Sequence, residues 1–169
     1  MPPFYFEVVM IDADKNSPTF NSYAGIEDLK AYAKVRNLPL SDSKSLESLL
    51  IVAMDFLESQ KWKGSRSDST QPLSFPRTGL FRDGVAIASD AIPNQVIQAQ
   101  CRLALEAQEN ELQPTLGAEI ISERIEGAID LKYAEGTNTG VPNFAWLKGL
   151  LYGLIDSSEG LGINTFAVR

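Results

Sequence analysis

The sequence predicts an α+β protein: a small, mainly helical body of three to four helices, with a long β ribbon and extended N- and C-terminal arms. Two observations predict this class. Apolar residues recur at helical spacing in several separate stretches, whereas residues 119–133 alternate between apolar and polar. We expect one domain over residues 1–169, because 169 residues is an ordinary length for one domain and an apolar share of 44% suffices for a core.

The N-terminal part of the chain predicts an arm followed by a first helix. Residues 4–11 are aromatic and β-branched, which favours a strand, and we assign 1–21 to an N-terminal arm. The helical body is expected to span residues 22–118. Its first helix should cover about 26–36, because apolar residues follow helical spacing there and Pro39 prevents continuation.

The second helix has the clearest pattern in the chain. Ser41 or Asp42 is expected to cap it, and it should continue to about residue 60. One broad apolar stripe runs along it, which we interpret as core packing rather than a binding groove. The stripe consists of Leu46, Leu49, Leu50, Ala53, Phe56 and Leu57.

A third helix is predicted from Pro93 to about Leu112, because proline is favoured in a first helical turn. Before it, residues 82–84 predict a tight turn. The face expected to be buried consists of Val96, Ile97, Cys101, Leu103, Ala104 and Ala107. The face expected to meet solvent consists of Gln98, Gln100, Arg102, Glu106 and Glu109.

After the helical body the pattern changes to that of a strand. The alternation indicates a β ribbon, which we assign to residues 119–135. A fourth helix is expected over 144–156, with Asn143 as its N-cap. The tail, 157–169, joins a Gly- and Ser-rich tether to an apolar end, and we expect it to dock on a neighbouring subunit or other partner. The residues expected to dock are Ile163, Phe166, Val168 and Arg169.

Residues 61–82 form a basic loop in an otherwise acidic chain. The whole chain has a net charge of −7, whereas this loop holds five Lys or Arg residues against Asp68 alone, a net of +4. Two alternatives remain open: an ordinary solvated loop, or a surface for an acidic partner, either protein or nucleic acid. The cations available for such contacts are Lys61, Lys63, Arg66, Arg77 and Arg82.

Two aromatic residues are expected to anchor the basic loop. Gly, Ser and Pro argue against helix between residues 62 and 77, yet the stretch contains Trp62 and Phe75. We expect Trp62 to be largely buried, holding the loop against the second and third helices. Arg66 and Arg77 are expected to pair with carboxylates of this chain or of its neighbour rather than with phosphate.

The composition argues against an enzyme. Histidine is absent, which removes the commonest general base and metal ligand, and Cys101 is the single cysteine. The sequence contains no Gly-rich phosphate loop and no activated-serine motif. We therefore expect no catalytic residue, no metal and no cofactor. We also expect no membrane segment, because no apolar run reaches the length that a bilayer requires.

Several short motifs carry a resemblance to a known family. They are Ser22-Tyr23, Asp55-Phe56-Leu57, Trp62-Lys63-Gly64-Ser65-Arg66, Gln71-Pro72-Leu73-Ser74-Phe75-Pro76-Arg77, Asp83-Gly84 and Ile92-Pro93. The chain resembles tailed-phage proteins labelled DnaT-like single-stranded-DNA-binding proteins, over about residues 20–133, with both termini outside the resemblance. Phe75 stands where the family is expected to have tryptophan. The loop residues that carry the motif are Trp62, Gly64, Arg66, Gln71, Pro72, Phe75, Pro76 and Arg77.

The resemblance implies two alternative functions. In organisation these proteins are similar to phage head–tail connector (adaptor, or head completion) proteins. Such a protein forms a ring, expected to be a dodecamer, between the portal protein and the tail or neck proteins. The genome DNA passes through without specific binding. The protein would then be located in the virion neck after synthesis in the bacterial host cytoplasm. The alternative is binding of single-stranded DNA, which needs a basic groove with exposed aromatic rings. We favour the connector, because the chain is acidic.

Overall fold

Three helices pack together as the helical body, and a fourth, shorter helix packs on the third. The structure is a computed structural model and describes residues 11–114 and 144–156. The helices are α1 (Ile26–Val35), α2 (Leu46–Glu58), α3 (Asn94–Glu106) and α4 (Ala145–Leu150). α3 lies against both α1 and α2. Short antiparallel strands accompany the helices, so the predicted α+β class is confirmed.

The strands within the described residues form two separate antiparallel pairs. They are β1 (Ser65–Arg66), β2 (Arg77–Thr78), β3 (Phe81–Arg82) and β4 (Val85–Ala86). β1 pairs with β2, and β3 pairs with β4. Asp83 and Gly84 connect the second pair with φ angles of 51° and 78°, the left-handed conformation that a two-residue hairpin turn requires. The tight turn predicted at 82–84 is therefore confirmed.

The core combines the helices with residues that lie between the strands, such as Phe75 and Leu80. The stripe predicted on α2 is confirmed as core, because Leu50, Ala53 and Leu57 have no exposed surface. The largest side chains that are almost fully buried are Phe20, Phe75, Leu29, Leu50, Leu57, Leu80, Leu103, Leu112, Leu151 and Leu154.

The N-terminus of α2 differs from the sequence prediction. Its N-cap is Ser45, whose side chain accepts a hydrogen bond from the backbone N–H of Ser48 at 3.4 Å. Ser41 and Asp42, the predicted caps, precede the helix. The Ser41 hydroxyl instead accepts from the backbone N–H of Lys44 at 3.2 Å and closes the turn that leads into α2.

α3 begins one residue later than predicted and ends about six residues earlier. Pro93 is its N-cap rather than its first helical residue, and the helix ends at Glu106 instead of Leu112. Lys44 donates from Nζ to the carbonyls of Ala107, at 3.3 Å, and of Gln108. A cation at the C-terminal carbonyls of a helix stabilises its end.

α4 is also shorter than predicted. It ends at Leu150, and turns replace the predicted helix up to residue 156. Gly153 has a φ of +83°, which interrupts helical geometry. Ile155 then forms an isolated antiparallel bridge with Trp62, which joins this part of the chain to the start of the basic loop. Phe144 is the N-cap, whereas the predicted cap Asn143 lies outside the described residues.

Gln100 is completely buried. The sequence had predicted it on the solvent-facing side of the third helix, and this is the largest difference between prediction and structure. Its Oε1 accepts from the backbone N–H groups of Tyr23 and Ala24, both at 2.8 Å. Its Nε2 donates to the Ser22 hydroxyl at 2.7 Å and to the Leu50 carbonyl at 2.9 Å. One side chain of α3 therefore fastens the start of α1 and the middle of α2 through four hydrogen bonds.

Several predicted segments lie outside the described residues. They are most of the N-terminal strand, the ribbon assigned to 119–135 and the tail 157–169. Within the described part of the chain, no helix is both long and apolar enough to cross a membrane.

Candidate interaction surfaces

The aromatic residues of the basic loop lie in an internal stack. Phe75 is completely buried, and its ring meets Trp62 edge-to-face with centroids 4.8 Å apart and Tyr23 with centroids 5.9 Å apart. Trp62 is half-buried rather than largely buried, and its indole N–H donates to the Leu57 carbonyl at 3.1 Å. The predicted anchoring is confirmed for α2, but these contacts connect Trp62 to the end of α2 and to Phe75, not to α3.

Glu58, the last residue of α2, holds the other side of the loop. Its carboxylate accepts from the Ser74 backbone N–H at 3.0 Å, from the Ser74 hydroxyl at 2.9 Å and from the Tyr23 hydroxyl. The Tyr23 oxygen in turn accepts from the Phe75 N–H at 3.3 Å. Burial, followed by the nearby negative charge of Glu58, raises the pKa of Tyr23 well above its ordinary value of 10.0.

This raised pKa predicts a loss of stability in alkali. Because the folded-state pKa of Tyr23 exceeds the unfolded-state value, its contribution is fully present below about pH 10 and declines as the pH rises further. We expect the free energy of unfolding in urea to fall less steeply between about pH 9 and pH 11 for Tyr23→Phe than for the wild type. Tyr152→Phe, at an exposed position, is the matched control and should follow the wild type. Equal slopes for Tyr23→Phe and the wild type would contradict the assignment.

Arg77 is directed into the loop rather than towards a partner. Its guanidinium donates to the carbonyls of Lys63 at 2.7 Å, Gly64 at 2.8 Å and Ser74 at 3.2 Å, with a longer contact of 3.5 Å to the Trp62 carbonyl. Within the described residues its hydrogen bonds go to main-chain carbonyls rather than to a carboxylate of this chain, and pairing with a carboxylate of a neighbour stays a prediction.

Other motif residues perform the same internal task. Gln71 donates from Nε2 to the carbonyls of Leu73, at 2.8 Å, and Pro76, at 2.9 Å. The Arg66 guanidinium also has a main-chain contact, 3.5 Å from the Gln71 carbonyl. Gly64 has a φ of +67°, and a Cβ there would lie 2.2 Å from the Thr78 carbonyl, so any other residue would disrupt the β1–β2 pairing. The motif thus specifies the conformation of the loop.

The β3–β4 hairpin, which starts at the end of the basic loop, contributes to an exposed surface. We call it the basic-aromatic patch and define it by Lys63, Phe81, Arg82 and Tyr152, which line a cleft of about 350 Å³ together with Gly79, Asp83 and Gly153. The Phe81 and Tyr152 side chains are 60% and 67% exposed. Arg82 is oriented by a contact of 3.4 Å to the Leu150 carbonyl and lies 4.0 Å from the Asp83 carboxylate.

Lys63 and Arg82 were among the candidate contacts predicted from the sequence, whereas Phe81 and Tyr152 were not. Aromatic residues next to apolar neighbours are normally assigned to the core, so the pattern concealed their exposure. The signal that was available is the turn at 82–84, because residues beside a tight hairpin turn lie at the surface.

The comparison with known proteins shows the family of this chain. A family model described as "Putative DnaT-like ssDNA binding protein" matches residues 8–169. The chain belongs to this family. No curated protein and no solved structure matches it. The match to the DnaT-like family extends beyond the range of 20–133 expected from the motifs. It includes the tail, so the view that the tail lies outside the resemblance was wrong, whereas residues 1–7 do lie outside the match.

Two further observations concern metal ligands and the single cysteine of this DnaT-like chain. Among residues 11–114 and 144–156, no three His, Cys, Asp or Glu side chains lie together as metal ligands would. Cys101 is buried in α3, and its burial raises the pKa of the thiol to about 12. A thiol with such a pKa is almost entirely protonated at neutral pH and is a poor nucleophile.

Proposed function

We propose that this protein is a structural virion protein, a head–tail connector. In this role it forms a ring, expected to be a dodecamer, between the portal protein and the tail or neck proteins, in the neck of the virion. The phage genome passes through the ring without specific binding. The observation that carries the proposal is that the motif side chains of the basic loop make their contacts within the protein. Arg77 binds main-chain carbonyls, and Phe75 and Trp62 stack on each other.

A surface that binds single strands needs free cations beside exposed aromatic rings. In the basic loop, the ring of Phe75 is inaccessible to a base and the guanidinium of Arg77 is committed to the protein. The chain as a whole carries a net charge of −7, which repels a polyanion. The same repulsion suits the proposed ring, because DNA that passes through the ring would not adhere to it. The tail residues 157–169 remain part of the proposal as a docking segment, on the evidence of their sequence alone.

Single-stranded-DNA binding is the second candidate, and one observation favours it besides the family description. Phe81 and Tyr152 are exposed beside Lys63 and Arg82, which is the combination of ring and cation that stacking on bases uses. Against it, the exposed carboxylate of Asp83 lies in the same cleft and opposes a phosphate.

Binding of oligo-dT separates the two candidates. The connector proposal predicts weak binding at physiological salt and no preference over a duplex of the same length, because the net charge is −7. Fluorescence anisotropy with labelled oligo-dT and labelled duplex measures both affinities. Lys63→Ala/Arg66→Ala should change them little.

The contrary result is equally specific. Sub-micromolar binding that selects single strands, and that is lost in Phe81→Ala/Tyr152→Ala, would favour the second candidate. Val35→Ala is the matched control for that variant, because Val35 is an exposed apolar residue outside the basic-aromatic patch.

A further inference from the structure

The basic-aromatic patch has a counterpart of opposite charge on the same chain. A cleft of about 450 Å³ lies between α2 and the residues that follow α3. We call it the acidic cleft and define it by Val52, Asp55, Glu109 and Glu111. The three carboxylate residues are exposed, and Val52 presents an apolar side chain that is 43% exposed.

Among the residues that the structure describes, one cation, Lys44, lines the acidic cleft beside its three carboxylates. Its ammonium group is bound to the carbonyls of Ala107 and Gln108 at the end of α3. The Lys44 ammonium group is therefore held at the C-terminal end of α3. The carboxylates of Asp55, Glu109 and Glu111 outnumber it in the same cleft.

We propose that the basic-aromatic patch of one copy docks on the acidic cleft of a second copy of this chain. Lys63 and Arg82 face carboxylates in this contact, and the rings of Phe81 and Tyr152 cover Val52. Exposed aromatic residues surrounded by charged ones are typical of the centre of a protein interface. The inference rests on the proposed function, since it supplies the contact between neighbouring subunits of the ring.

The type of contact follows from the residues involved. The two surfaces share no residue, so a contact between them is heterologous: each copy offers its patch to one neighbour and its cleft to another. Heterologous contacts build rings or open chains, whereas a closed two-fold dimer uses the same surface twice. A second copy fits the patch, because its acidic cleft offers carboxylates to Lys63 and Arg82 together with the apolar side chain of Val52 for the two rings.

Mixing two variants tests this arrangement. Phe81→Ser/Tyr152→Ser removes the patch, and Glu109→Lys/Glu111→Lys reverses the charge of the cleft. Light scattering coupled to size-exclusion chromatography should show concentration-dependent assembly for the wild type and loss of assembly for each variant alone. An equimolar mixture should form a one-to-one dimer, because one intact cleft meets one intact patch.

Two controls make the result interpretable. Val35→Ser removes an exposed apolar side chain outside both surfaces and should assemble as the wild type does. Circular dichroism and thermal melting should show that both double variants are folded.

Three outcomes would overturn the inference. The first is a wild-type protein that stays monomeric at all concentrations. The second is a pair of double variants that assemble like the wild type; this result would leave the connector proposal intact, since the ring would then close through other surfaces. A patch variant that loses binding to oligo-dT but keeps its assembly would assign the patch to nucleic acid instead, and would count against the proposed function as well.

Discussion

Replacing Gln100 by alanine is expected to lower the free energy of unfolding by about 3–5 kcal/mol. The substitution leaves the N–H groups of Tyr23 and Ala24 without their acceptor in the core and removes the side-chain donor to the Leu50 carbonyl. Each unsatisfied buried group costs about 1–3 kcal/mol, and water entering the vacated space recovers part of that sum. For a protein of this size the melting temperature should fall by roughly 6–20 °C.

Gln98→Ala is the matched control, because it makes the same change on the same helix at a partly exposed position. Thermal and urea unfolding, followed by circular dichroism, compare the two variants. If Gln100→Ala were no more destabilising than Gln98→Ala, the four hydrogen bonds of Gln100 would not join the helices as described.

Phe75→Ala is the second substitution expected to have a large effect, at about 3–5 kcal/mol of unfolding free energy. Phe75 has no exposed surface, and its ring separates those of Tyr23 and Trp62. The cavity would remove the surface on which the basic loop is held to α2. We therefore expect a lower melting temperature together with increased proteolysis within residues 61–82.

The hairpin offers a control with the same chemistry. Phe81→Ala removes an identical side chain that is 60% exposed, and it should change the free energy of unfolding by no more than about 0.5 kcal/mol. Equal losses in Phe75→Ala and Phe81→Ala would show that Phe75 is not the anchor of the loop.

Local signals in the sequence were sufficient for the elements that depend on local chemistry. α1 was predicted within one residue of its observed end at Val35, because apolar spacing and Pro39 define it. The turn at 82–84 was predicted because Asp83 and Gly84 tolerate positive φ. α4 was overestimated, since its apolar pattern continues past the residue at which Gly153 and the bridge to Trp62 redirect the chain.

Contacts between distant parts of the chain were the source of the errors. Gln100 was assigned to solvent because a glutamine on a helix is usually exposed, whereas its partners at Ser22 and Leu50 are 78 and 50 residues away in the chain. Arg77 was expected to pair with a carboxylate, but in the folded loop its guanidinium donates hydrogen bonds to main-chain carbonyls. The exposure of Phe81 and Tyr152 likewise depends on how the hairpin lies against the turn after α4, which periodicity does not describe.

The most direct test of the proposed connector is the content of purified virions. Quantitative mass spectrometry of DNA-filled particles, combined with immunogold electron microscopy, measures both the copy number and the position of this chain. The connector proposal predicts a fixed ratio to the portal protein and label at the head–tail junction. Absence of the chain from tailed, DNA-filled particles, with recovery on single-stranded DNA in infected cells, would contradict it.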